Sequence, residues 1–219
     1  MVQTYLLVKS MPPIEALQSG ADTAICGDCS LKGDKPNGIK RRCYVRIDLG
    51  PRVVWVNWEA GKYPKLAKSK WKQVFAGLNI RLGTYGDLAF IPQHILEALC
   101  ASTASWTGYT HQWRKHPKLK PYMMASVDTQ AEAIEAQSLG WRTFRVANYR
   151  DAAKLEREIS CPASLEAGKL TTCSSCRLCN GRHGIFDRRA NITIQDHGSQ
   201  TRRWRKQDEL VQIGVAAYA

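Results

Sequence analysis

Long apolar runs are what this 219-residue chain lacks first: none approaches the roughly 18 to 20 residues that a helix needs to cross a membrane. Its start, MVQTYLLVKSMPP, also lacks the basic flank and long apolar stretch of a secretory signal. These absences speak against a membrane partner and point to the cytoplasm, a reducing compartment in which thiols stay reduced or bind metal. Acidic side chains are scarce, 19 Asp and Glu against 32 Lys and Arg, for a formal net charge of +13. The excess makes a polyanion, nucleic acid above all, a candidate partner. The competing reading is that scattered lysines solvate the surface and offset the charge of thiolate-held metal. No exact repeat or low-complexity segment is present, and a hydrophobic share of 44% with 23% charged residues is that of an ordinary globular protein.

Cysteine is not scarce, and it is not scattered. Residues 161–181, CPASLEAGKLTTCSSCRLCNG, hold Cys161, Cys173, Cys176 and Cys179 in the spacing C-x11-C-x2-C-x2-C. Four thiolates within nineteen residues are enough to enclose one metal centre. Structural zinc usually takes two separated C-x2-C pairs, whereas C-x2-C-x2-C with a fourth cysteine elsewhere suits a [4Fe–4S] cube, and Pro162 repeats the Cys-Pro of such sites. Zinc stays open as the alternative, with His183 a conceivable substitute ligand or a basic surface residue. A second group, in ICGDCSLKGDKPNGIKRRCYV, supplies only Cys26, Cys29 and Cys43. Three thiolates on a [4Fe–4S] cluster leave one iron open to a small molecule; a zinc knuckle would need a fourth ligand such as Asp28, a distant His or Cys100. Cys100 otherwise reads as a small buried hydrophobe. The even count of eight also allows a disulfide framework, although that suits short secreted chains.

Elsewhere the chain alternates. Strands are expected at YLLVKS (5–10), RVVWVNW (52–58), NIRLG (79–83), WTGYT (106–110), PYMMASV (121–127), WRTFRV (141–146), ISCP (159–162) and NITIQ (191–195). Helices are expected at 13–20, at 61–77 from Pro64, at 91–102, at 128–140 between an Asp128 cap and Gly140, and briefly at 148–158. This alternation predicts an α/β fold, a partial or compact (β/α) barrel with parallel strands over residues 1–156. A cysteine-rich cluster-binding segment, last strand and tail would follow over 157–219.

In a parallel sheet, ligands gather at the carboxyl ends of the strands. The residues there are Gly86-Asp87, Thr110-His111, Ser126 with Asp128, Asn148, and Asp196-His197. Gly86, Asp87, His111 and His197 are the candidate site residues; Asp128 reads rather as a helix cap.

The blocks CGDC, CYV, IRLGTYGD, WTGYTHQW, MASVDT, GWRTFRV, CPAS, TCSSCRLC and DHG are together similar to an uncharacterised family of phage and prophage proteins, from about Pro13 to Gly198. More distantly the chain resembles the radical S-adenosylmethionine (SAM) superfamily. The resemblance implies that Cys26, Cys29 and Cys43 hold a [4Fe–4S] cluster, that Tyr44 packs beside them and that Gly86 and Asp87 contact SAM. It further implies an auxiliary cluster on Cys161, Cys173, Cys176 and Cys179, in a phage-infected or lysogenic host. The superfamily's own spacing is C-x3-C-x2-C, where this chain has C-x2-C-x13-C. Two functions follow as expectations. One is an iron–sulfur enzyme, redox or radical, acting on nucleic acid or a small-molecule substrate. The alternative is a zinc- or cluster-stabilised nucleic-acid-binding protein without catalysis, in which Trp106, Tyr109, Trp113 and the nearby lysines, and again Arg202 to Lys206, interleave rings with cations, unless those rings are core.

Overall fold

A computed structural model of the chain describes residues 1–147 and 153–196. The strands are β1 (Val2–Tyr5), β2 (Asn79–Tyr85), β3 (Ser105–Thr110), β4 (Met124–Val127), β5 (Thr143–Ala147), β6 (Glu158–Ser160) and β7 (Asn191–Gln195). They form one seven-stranded sheet in the order β1-β2-β3-β4-β5-β7-β6, and every pairing is parallel. The helices are α1 (Pro13–Ser19), α2 (Thr23–Cys26), α3 (Gly50–Glu59), α4 (Trp71–Phe75), α5 (Gln93–Ala101), α6 (Gln130–Ser138) and α7 (Cys173–Cys176). The α/β class with parallel strands is thus what the alternation predicts. Among the described residues no helix is long and apolar enough to cross a membrane.

Period-two alternation gives the sheet two different faces. On one, Ile80, Leu82, Ala125 and Val127 pack with Leu96 and Cys100 of α5 and Ala133 and Ala136 of α6. Cys100 is accordingly a core residue, and burial pushes its thiol up to about 12. On the other face, Met124 and Ile192, with Tyr109, Phe144 and Ile194, pack against Cys161, Cys179 and Leu178. Helices therefore cover one face, and the second cysteine loop covers the other.

Several local expectations are overturned. Residues 52–58 form not a strand but most of α3: Pro51 occupies its first turn, Trp55 faces inward, and Val53, Val56 and Trp58 are exposed. A crossover is needed to bring the chain from β1 round to its parallel neighbour β2, and that requirement overrides the β preference of the Val and Trp residues. The helix expected over 61–77 shrinks to a short 3-10 turn at Lys68–Lys70 followed by α4, because the lysine-rich stretch before it has no apolar stripe to bury. β1 begins and ends earlier than expected, at Val2–Tyr5. The cap of α6 is Thr129, whose hydroxyl accepts from Glu132 N at 3.1 Å, while Asp128 N donates to Glu132 Oε2 at 2.9 Å. The short helix expected at 148–158 falls partly outside the described residues, and its described part, 153–158, is not helical and ends in the first residue of β6.

Candidate functional site

The three-cysteine loop closes over the carboxyl ends of the central strands. Cys26 ends α2, Cys29 N donates to Cys26 O at 3.2 Å, and a turn pinned by the Asp34–Ile39 bridge returns the chain so that Cys43 N reaches Leu31 O at 2.8 Å. Three strand exits then hold this loop. Asp87 N, after β2, donates to Ile25 O at 2.7 Å. Gln112 Nε2, after β3, donates to Cys26 O at 3.3 Å. Ser30 Oγ hydrogen-bonds Asp128 Oδ2, after β4.

Gly86 is what lets β2 come this close. Its φ is +78°, and a β-carbon there would stand 2.6 Å from the Leu6 β-carbon and 3.1 Å from the Leu6 carbonyl oxygen. Gly86→Ala is therefore expected to destabilise the fold and to loosen the Cys26 loop. Urea unfolding checks the first effect and faster alkylation of Cys26 the second; an unchanged midpoint with unchanged alkylation would contradict it.

Asp87 lies buried with both oxygens in use. Oδ1 accepts from Ala89 N at 3.0 Å, and Oδ2 accepts from Thr110 Oγ1 at 3.0 Å and His111 N at 2.9 Å. Burial raises its pKa, and the hydrogen bonds oppose that rise. Its work is thus to tie the exits of β2 and β3 together and to fix His111. The His111 ring meets Ser126 Oγ at 3.2 Å through Nε2. A pocket of about 110 Å³ opens beside it, lined by Asp28, Ser30, His111, Ser126, Asp128 and Glu132 among others. Lys115 pairs with Asp28 at its rim. Asp128 also lines the pocket, and its Oδ1 is buried with no hydrogen-bond partner among the described residues.

The four-cysteine loop lies on the face away from the helices. Cys161 follows β6, with its N–H on Thr193 O at 2.8 Å; Cys173 and Cys176 bracket α7; Cys179 O accepts from Gly108 N at 2.8 Å. Arg142, buried just before β5, ties the loop down through its guanidinium, donating to the carbonyls of Leu178 at 2.8 Å, Asn180 at 2.9 Å and Ala190 at 2.7 Å. Gly181 passes so near Lys120 that a β-carbon would lie 2.2 Å from the Lys120 carbonyl oxygen.

Both cysteine groups are gathered, and all eight cysteines are free. Within each group the charge of one thiolate raises the pKa of its neighbours. Burial, the larger cause, pushes Cys26 and Cys179 up to about 12 and holds Cys29 and Cys161 high. Burial thus keeps these groups neutral thiols, and a thiolate at these positions would need a neighbouring cation, which a metal centre would supply. Among the described residues no three His, Cys, Asp or Glu side chains converge on one point suited to a single ion. A metal centre on either group would require the thiols to draw together.

Between the two groups lies a contact that the cysteine spacing does not signal. Arg81, on β2, donates to Tyr44 Oη at 2.7 Å; Tyr44 follows Cys43 directly. The charge of Cys173 acts on both Arg81 and Tyr44, and Tyr109 packs against the cluster that holds Cys179. One cation and two phenols thus connect the three-cysteine loop with the four-cysteine loop. The signal available in the sequence was an arginine inside an otherwise apolar strand.

Of the remaining candidates, Asn148, His197 and the Arg202–Lys206 cluster lie outside the described residues. Trp113 is buried, Tyr109 packs 4.3 Å from Phe144 between ring centres, and Trp106 donates to Tyr122 O at 2.8 Å. These rings pack against the protein itself and offer no stacking platform. His183 is exposed, near Trp106. Compared with protein-family models, curated proteins and solved structures, the chain matches none.

Proposed function

We propose that the chain is an iron–sulfur protein on a partial (β/α) barrel, with a [4Fe–4S] centre at each cysteine loop and the reactive one at Cys26, Cys29 and Cys43. The observation that carries this reading is the seating of the three-cysteine loop over the exits of β2, β3 and β4, beside the pocket of His111 and Asp128. The carboxyl ends of parallel strands are where such folds place their chemistry. A cube held by three cysteines keeps one iron open, and with SAM as co-reactant it supplies one-electron reductive chemistry.

The chain's own residues divide the remaining work. Gly86 and Asp87 shape the β2 exit, and because both Asp87 oxygens are engaged, recognition of a ligand's donor passes to Asp128 Oδ1. His111 stands at the pocket wall, where among the described residues its Nε2 meets the Ser126 hydroxyl at 3.2 Å. A pocket of about 110 Å³ suits a small polar molecule or one end of a larger one. Arg81, hydrogen-bonded to Tyr44, lies between the two groups and would offset negative charge on centres held there, and a centre on the four-cysteine loop would supply an electron relay. Free thiols throughout agree with a reducing, cytoplasmic setting.

The test is spectroscopic. SAM added to the reduced protein is expected to change the electron paramagnetic resonance signal of one centre, and Cys29→Ala to abolish that change while the other signal stays. A reduced signal indifferent to SAM would remove SAM from the account.

A further inference from the structure

The crossover from β1 to β2 carries a feature that the metal centres do not use. From Gly50 to Leu78 the chain has six basic residues, Arg52, Lys62, Lys65, Lys68, Lys70 and Lys72, against one acid, Glu59. Every residue from Trp58 to Lys70 is exposed. Lys68 donates to the His94 carbonyl at 3.4 Å, and none of the other five meets a carboxylate among the described residues. Unpaired like charges so close in sequence repel one another, and a polyanion lying along them relieves the repulsion while releasing its own counterions.

Among these cations two aromatic rings stand open, Trp58 at 43% and Tyr63 at 47% exposure. Rings interleaved with lysines suit unstacked bases on a phosphate backbone. A duplex would keep its bases from the rings. A membrane surface fits less well: an interfacial helix carries its lysines and apolar residues on opposite faces of one long element, whereas here α3 is ten residues long and the lysines follow it on irregular chain, on the short turn Lys68–Lys70 and at the start of α4.

We propose that the segment from Arg52 to Lys72 is a docking surface for single-stranded nucleic acid, with the lysines on phosphates and Trp58 and Tyr63 against bases. The surface is independent of the cysteine loops, so it stands or falls apart from the iron–sulfur reading.

The experiment is fluorescence anisotropy of the full chain with labelled oligo-dT and oligo-rU of about 20 nucleotides, over a salt series. Binding is expected at low salt, with affinity falling linearly in log salt. Replacing Lys62, Lys65, Lys70 and Lys72 together by Gln is expected to weaken binding at least tenfold and to flatten the slope by about 3, at roughly 0.7 per phosphate contact. Trp58→Ala is expected to cost about tenfold with the slope unchanged, as loss of one stacked base does. Unchanged circular dichroism and metal content show that the variants are folded, and the tighter arm tells DNA from RNA. Absence of binding to both oligonucleotides at low salt would overturn the proposal. So would equal binding by parent and the four-lysine variant, or binding only to phosphatidylserine vesicles.

Discussion

Cys176→Ala, purified without oxygen, is expected to carry about half of the parent's iron and to lose much of its stability. The two effects have a common cause. The four-cysteine loop would supply one thiol to each of a cube's four irons, so removing one would open the cage. The same loop is also the cover of one sheet face, where Cys161 and Cys179 lie in the cluster with Met124 and Ile192. Losing the centre frees the loop, and with it the apolar surface of Phe144, Ile192 and Ile194. Cys29→Ala should lose the other half of the iron at a smaller cost in stability. Its loop stays held by backbone and side-chain contacts to Asp87, Gln112 and Asp128, none of which involves the Cys29 thiol. Iron analysis with urea unfolding checks the pair. Equal stability loss in both variants would contradict the assignment of the four-cysteine loop as the structural cover.

Glu158→Ala is expected to destabilise the protein by about 3–5 kcal/mol, the usual range when one partner of a buried ion pair is removed. Arg145 on β5 and Glu158 at the start of β6 are both fully buried and meet in a fork, Nε to Oε1 at 2.9 Å and Nη2 to Oε2 at 2.7 Å. Glu158 Oε2 also accepts from Leu155 N at 2.9 Å, and Arg145 donates to Ala153 O at 2.7 Å. Truncating the glutamate removes the carboxylate that the buried guanidinium meets in this fork. Replacing both residues together, Arg145→Met with Glu158→Leu, should recover most of the loss, because no charge is then stranded. Urea unfolding followed by circular dichroism measures all three proteins. A loss below about 1 kcal/mol for Glu158→Ala would mean that water reaches the pair.

The parallel sheet was legible because β2 to β5 and β7 are short runs rich in apolar and β-branched residues, with α5 between β2 and β3 and α6 between β4 and β5, the latter ended by Gly140, whose φ is +83°. What misled was α3: Val53, Val54, Trp55 and Val56 favour a strand locally, and only the topology, invisible along the sequence, makes them helical. The cysteine groups were legible from spacing, and the end of the sheet at which chemistry gathers follows from parallel strands. Spacing could not say that the shorter group sits at those strand ends while the longer one covers a face, since the contacts that decide it, Gln112 to Cys26 and Gly108 to Cys179, join residues 86 and 71 positions apart. The role of Asp87 was likewise hidden. The Gly-Asp pair marks the β2 exit, but its partners Thr110 and His111 arrive from the next strand and occupy the carboxylate.

The most direct measurement of the central claim is the metal content of the full chain purified without oxygen. Two four-iron centres predict a brown protein, absorbing broadly near 400 nm, with about eight irons per chain. Zinc in place of iron would contradict the account.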